Sequence, residues 1–273
     1  MPDNNTNGFG NSLSAGIAYP IVRGLDVNWK TGLNAVGVVT NSETMGTTTQ
    51  NKTLTMGQWF LDGNSGDRSI QLGENVWFWR SALNAGSIKN DAPGASTQNP
   101  GLVGDTYTKF SFMGVSKIFL SKAENIYAVV NVRGQAANTN LDPYEKLMVG
   151  GASALRGYSP DTAGSLNQGT ISTFELRKTF NTGWGEITPL VFMDYANGWI
   201  NKATYPNWQI NSGYSNANLS NHLVLADAGL GFEWSSYRNW TLVTSWATRL
   251  PSSPVMQGSS GNSQFWFLAQ TFL

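Results

Sequence analysis

The chain has 273 residues, with 17 Lys and Arg balancing 17 Asp and Glu, one His and no Cys. Only 12% of residues are charged, about half the share usual in a soluble domain. This balance excludes a basic nucleic-acid surface, a disulfide scaffold and the common zinc and iron–sulfur sites. The 11 Trp, 13 Phe and 9 Tyr exclude disorder.

No apolar run approaches the ~18 residues of a membrane-spanning helix. The periodicity is that of strands instead. Leu25, Val27, Trp29, Thr31, Leu33 and Ala35 fall on one face, and Asp26, Asn28, Lys30, Gly32 and Asn34 on the other. Farther on, Ile126, Ala128, Val130 and Val132 alternate with Tyr127, Asn131 and Arg133. After His222, the residues Val224, Ala226, Ala228, Leu230, Phe232 and Trp234 repeat the pattern. Strand side chains point to opposite faces with period two, so each segment has one greasy and one polar face. Their length exceeds the ~5–6 residues of a globular strand and suits the ~9–11 of a tilted bilayer-crossing strand.

The pattern predicts eleven strands, near 9–19, 25–39, 52–62, 71–84, 107–120, 125–138, 169–180, 185–200, 221–234, 239–250 and 263–273. Short connections at 20–24, 63–70, 121–124, 181–184 and 235–238 alternate with long ones at 40–51, 85–106, 139–168, 201–220 and 251–262. Outer-membrane barrels have short periplasmic turns and long extracellular loops. The expected fold is therefore all-β, an antiparallel transmembrane β-barrel facing outer-membrane lipid. Trp184, Trp234, Tyr237 and Trp240 beside short turns fit an interfacial aromatic girdle. Phe265, Phe267, Ala269, Thr271 and Leu273 read as one face of a terminal strand. Single-chain bacterial barrels have even strand numbers, and Met1-Pro2-Asp3-Asn4-Asn5 is no signal peptide. Residues 1–273 are accordingly expected to be the C-terminal part of a longer barrel.

The longest predicted loop holds Asn140-Leu141-Asp142, Glu145-Lys146-Leu147, Gly150-Gly151 and Leu155-Arg156-Gly157-Tyr158. The next strand carries Glu175-Leu176-Arg177, and the one after it Phe192-Met193-Asp194. Phe192 and Asp194 share a face, and a charge there belongs in the lumen, since a cation at the lipid midplane costs ~2–4 kcal/mol. If the loop folds inward, Arg156 needs a carboxylate partner, and Asp194 and Glu175 are the available ones. Gly157 permits close backbone approach, and Tyr158 brings a large rigid contact.

The run from Asn140 to Phe180 resembles the hemolysin-activator transporters of two-partner secretion. That family carries a Val-Arg-Gly-Tyr/Phe motif after Gly-Gly in its sixth extracellular loop, behind an Asn-Leu-Asp…Glu-Lys stretch. Leu155 is a conservative departure at the first motif position. The family's Glu-Leu-Arg and Phe-x-Asp are matched by Glu175-Leu176-Arg177 and by Phe192 with Asp194. Ala18-Tyr19-Pro20-Ile21-Val22-Arg23 resembles its strand–turn signature. The resemblance implies that Arg156 docks against Phe-x-Asp on the inner wall. It also implies that the eleven strands are numbers six to sixteen, with the signal peptide, POTRA domains and first five strands lying outside the chain.

The implied function is export of a large partner protein, an adhesin or hemolysin, across the outer membrane of a Gram-negative bacterium. Insertion would depend on the barrel assembly machinery. Gly150, Gly151, Leu155, Arg156, Gly157 and Tyr158 form the implied lumenal motif, with Phe192, Asp194 and Glu175 as wall partners. Alternatives are the related factor that inserts other barrels, and a passive porin. An enzyme is disfavoured: His222 stands beside a polar loop, with no Gly-x-Ser-x-Gly elbow or paired catalytic carboxylates. No cofactor, metal or nucleic acid is expected.

Overall fold

The computed structural model describes residues 6–44, 47–91, 106–211, 219–236, 240–250 and 261–271. Long strands dominate: β1 (Thr6–Arg23), β2 (Val27–Thr44), β3 (Thr47–Ser65), β4 (Val76–Asn90), β5 (Thr106–Ser121) and β6 (Ile126–Ala137). After a long loop come β9 (Gln168–Lys178), β11 (Gly185–Trp199), β12 (His222–Ser235), β13 (Trp240–Arg249) and β14 (Ser263–Thr271). The loop carries the two-residue strands β7 (Leu147–Met148) and β8 (Ser165–Leu166), which pair with each other, and β10 (Phe180–Thr182) adds a short rung beside β11. The helices α1 (Asp67–Gln71), α2 (Pro160–Ala163) and α3 (Trp208–Asn211) are single turns. Among the described residues, no helix is long and apolar enough to cross a membrane.

Each of the eleven long strands pairs antiparallel with its neighbour in chain order, from β1 to β14. Among the described residues β1 and β14 do not pair with each other, so this ladder is open at both edges. Register sorts the side chains. In-register partners such as Asn34, Gln58 and Asn84 share one face and bond in series, at 3.0 and 2.7 Å. The long loop packs on that same face, where Glu175, Phe192, Asp194, Asp227 and Arg249 lie. The opposite face is apolar and uncovered: Leu13, Ile17, Leu33, Trp59, Phe110, Met193, Leu230, Trp246, Phe265 and Phe267 are all exposed. A soluble sheet would bury such a face, so the pattern is inside-out by the standards of water. Trp184 and Trp240 stand exposed near the short-turn end, and the Trp234 ring N–H donates to Trp184 O at 3.2 Å. Tyr237 and Leu273 lie outside the described residues.

Two predicted connections are corrected. Of the long one at 40–51, residues 40–44 and 47–51 are strand, because β2 and β3 stay paired up to Thr44 and Thr47 with a register shift at Ser42/Glu43. Polar Thr-rich sequence resembles a loop in composition, yet β-branched Thr continues a ladder readily. The short one at 63–70 shifts to 66–75, with α1 inside it and β4 starting at Val76 rather than 71. The Ala18–Arg23 stretch lies within β1, which bulges between Pro20 and Val22.

Candidate functional site

The loop between β6 and β9 folds onto the polar face as a compact knot. The Gly151 N–H donates to Leu155 O and Tyr158 O, at 3.2 and 2.9 Å, and the Leu155 N–H returns to Val149 O at 2.9 Å. Gly151 adopts φ +119°, a conformation that side chains resist. A Cβ on Gly150 would lie 2.5 Å from Ser159 O, so the paired glycines are what let the chain cross itself. Leu155, Tyr158, Val149, Ala163 and Leu166 are fully buried against Ile171, Ala196 and Leu225 of the wall. Burial of a large apolar side chain contributes ~1.5–3 kcal/mol, so this cluster holds the knot down before any charge is counted.

The knot aims Arg156 at the wall. Its Nε and Nη2 donate to the two oxygens of Asp194 at 2.9 and 2.8 Å, and Nη1 donates to Glu175 at 2.7 Å. Its backbone N–H also reaches Asp194, at 3.1 Å, and the guanidinium lies 3.3 Å from the Phe192 ring centroid. Asp194 is completely buried. Burial works to lower the guanidinium pKa, but the bonds and charges of Asp194 and Glu175 outweigh it and hold the pKa above its ordinary value. The charges continue outward: Arg177 bonds Glu175 at 2.7 Å and Glu233 at 3.0 Å. A planar fork on a carboxylate, floored by an aromatic ring, is a geometry that Lys cannot reproduce.

All nine singled-out residues thus meet in one cluster: Gly150, Gly151, Leu155, Arg156, Gly157 and Tyr158 from the loop, and Glu175, Phe192 and Asp194 from β9 and β11. Sequence reasoning missed three more. The Gly157 N–H donates to Asp227 Oδ2 at 2.9 Å, and Gly157 O accepts from Arg249 Nε at 3.0 Å. Arg156 O accepts from the Trp266 ring N–H at 2.7 Å. A Cβ on Gly157 would stand 2.7 Å from the Asp227 Cβ, which is why this position needs glycine. The loop is thereby tied to β9, β11, β12, β13 and β14 together. The only available signal was polar residues at loop-face positions of late strands; nothing in their spacing marks them. His222 is exposed, pairs with Asn197 at 2.8 Å and packs on Trp199. Among the described residues no cluster of His, Asp or Glu could hold a metal.

This buried arginine clasp sits within a region recognised by a family model, that of the haemolysin secretion/activation protein ShlB/FhaC/HecB, over residues 22–217. The chain belongs to that family. The ShlB/FhaC/HecB match runs through the loop and both of its first wall strands, up to the connection after β11. No curated protein matches the chain at a significant level. Among solved structures the fold is similar to CdiB from Escherichia coli, with TM-score 0.76 and 15% identity over 98% of this chain and 46% of that one. It is also similar to CdiB from Acinetobacter baumannii, with TM-score 0.68 and 13% identity over 97% and 43%. The chain therefore spans under half the length of these structures.

Proposed function

We propose that the protein supplies the C-terminal part of an outer-membrane β-barrel pore that exports a large partner protein by two-partner secretion. The observation that carries this reading is the clasp of Arg156 by Asp194 and Glu175 on the polar face of an antiparallel sheet, in a chain of the ShlB/FhaC/HecB family. The opposite face supports a bilayer setting. Its exposed Leu, Ile, Phe and Trp are suited to lipid tails, and a Gram-negative outer membrane is where such barrels reside. Insertion there falls to the barrel assembly machinery.

Arg156 works by position. An unfolded partner, an adhesin or hemolysin in type, passes outward without nucleotide and folds at the surface. Arg156, Asp194 and Glu175 keep the long loop seated on the wall, with Gly157 and Tyr158 shaping the contact, and no residue performs covalent chemistry.

The test is a clean deletion of the gene, complemented by wild type or by Asp194→Ala. Loss of one large protein from the medium, with other outer-membrane barrels unchanged, is expected on deletion. Asp194→Ala should reach the membrane at normal level yet export poorly. Unchanged medium on deletion would overturn the reading, and a general fall in other barrels would point to an assembly factor.

A further inference from the structure

The Asn140-Leu141-Asp142…Glu145-Lys146 stretch takes no part in the arginine clasp, yet it is tied down on its own. Asp142 caps the 3-10 turn Pro143–Glu145 by accepting from the Tyr144 N–H, and its other oxygen receives Lys52 Nζ of β3 at 2.8 Å. Glu145 receives Lys109 Nζ of β5 at 2.5 Å. On its far side the stretch holds the 200–203 segment: Lys146 donates to Ile200 O and Asn201 Oδ1, and Asn140 exchanges two bonds with Ala203. Buried Asn167 binds its root at Thr139 O and the Leu141 N–H.

These contacts divide into two sides of unequal strength. Toward β9–β14, five buried apolar loop residues and the Arg156 fork hold the loop. Toward β3 and β5 the loop offers one buried leucine, Leu141, seated among Val38, Leu54, Ile88 and Tyr107, with the two lysine pairs, a second bond from Lys109 Nζ to Glu145 O at 3.1 Å and, at its root, two bonds between Asn138 and Thr108. The lysine side chains are 20% and 12% exposed, against 9% for Arg156. Lysine is a compact point charge with a strongly hydrated head and makes a single contact with its carboxylate, where Arg156 makes a fork, so each lysine pair holds less firmly than the clasp. Along this weaker side lies a cavity of about 480 Å³, bordered by Gly8, Gly10, Val38, Lys52, Asp142 and Tyr144.

We infer that Lys52 and Lys109 are positioning residues that hold a releasable latch: the loop, with the 200–203 segment, parts from the β3–β5 wall while Arg156 stays clasped as the pivot. This rests on the export reading, in which the polar face must be cleared for a passing chain. The tightly clasped side is too strong to be the one that yields.

Residues 1–273 contain no cysteine, so a single thiol placed among them reports cleanly once any cysteine elsewhere in the protein is replaced by serine. In the full-length protein, Leu141→Cys, or Val38→Cys facing it from the wall, is labelled with a charged maleimide. Ala154→Cys, buried beside the clasp, is the control. Neutralising both lysines (Lys52→Met with Lys109→Met) should speed labelling at 141 and 38 about tenfold, with 154 unchanged. The swap Lys52→Asp with Asp142→Lys should return the rate toward wild type. Equal acceleration at all three sites, or none at 141 and 38, overturns the latch. In export, Lys52→Cys and Asp142→Cys joined by a reductant-cleavable bismaleimide should stop partner release until the linker is cut. Export at wild-type rate with the linker intact also overturns it. If the wild type exports nothing, the transport reading fails, and labelling still decides whether the latch opens.

Discussion

Replacing Arg156 by Lys keeps the charge and removes the fork, which makes it a sharp test of what the clasp does. Three side-chain bonds to carboxylates, at 2.9, 2.8 and 2.7 Å, converge on this guanidinium from two strands. A lysine ammonium on a stem of similar reach can serve Asp194 or Glu175 well, but not both oxygens of one and a third acceptor on the other. Each charge-assisted bond contributes ~1.5–3 kcal/mol, so losing two while retaining the charge should weaken loop seating by about 3–6 kcal/mol. That corresponds to a seated-to-released ratio lowered by about 150-fold to 20,000-fold. Arg156→Met should do worse, because it strands the fully buried Asp194 with no counter-charge on the loop. Labelling at Ala154→Cys reads the released fraction in membranes, and partner protein in the medium reads the consequence. If Arg156→Lys labels and exports like wild type while Arg156→Met does not, net charge alone suffices and the geometric argument is refuted.

Gly157→Ala should weaken seating by about 1–3 kcal/mol, since its Cβ would stand 2.7 Å from that of Asp227; labelling at 154 measures it, and a silent substitution would contradict the packing. Trp266→Phe removes one donor to Arg156 O at 2.7 Å and should weaken seating by about 1 kcal/mol, read by labelling at 154, with the protein's level in the membrane unchanged. Burial pushes the Lys146 ammonium down to about 8 from 10.5, against the raising effect of Asp142. The unseated loop therefore holds more protons between these values, so seating should be flat below pH 8 and strengthen as pH climbs toward 10.5. Lys146→Met should abolish that slope in labelling at 141; the same slope without Lys146 would assign it to another group.

Alternation made the sheet legible wherever apolar residues marked one face, as at Val224–Trp234. It failed at 40–51, where both faces are polar and period two leaves no trace, though the backbone pairs regardless. The site was legible as far as Asp194, because Gly-Gly, Arg-Gly-Tyr and Phe-x-Asp are unusual in a greasy strand protein. Asp227, Arg249 and Trp266 were invisible for a plain reason: their roles depend on which register position of a distant strand lies under the loop. Trp266 stands opposite the Phe265 and Phe267 face that drew notice, on the side the alternation argument set aside.

The order in which the molecule assembles follows from the span of its contacts. Every rung of the sheet joins chain neighbours through a hairpin or a single loop, so the sheet can zip one strand at a time. The ties of the long loop reach 90 residues back to Lys52 and 110 forward to Trp266. Contacts between distant positions form late, because the chain between them must first be ordered. Seating of the loop therefore reports completion of the sheet: its last tie, from Trp266 to Arg156 O, is made only when β14 has joined, and a chain with a faulty last strand lacks it.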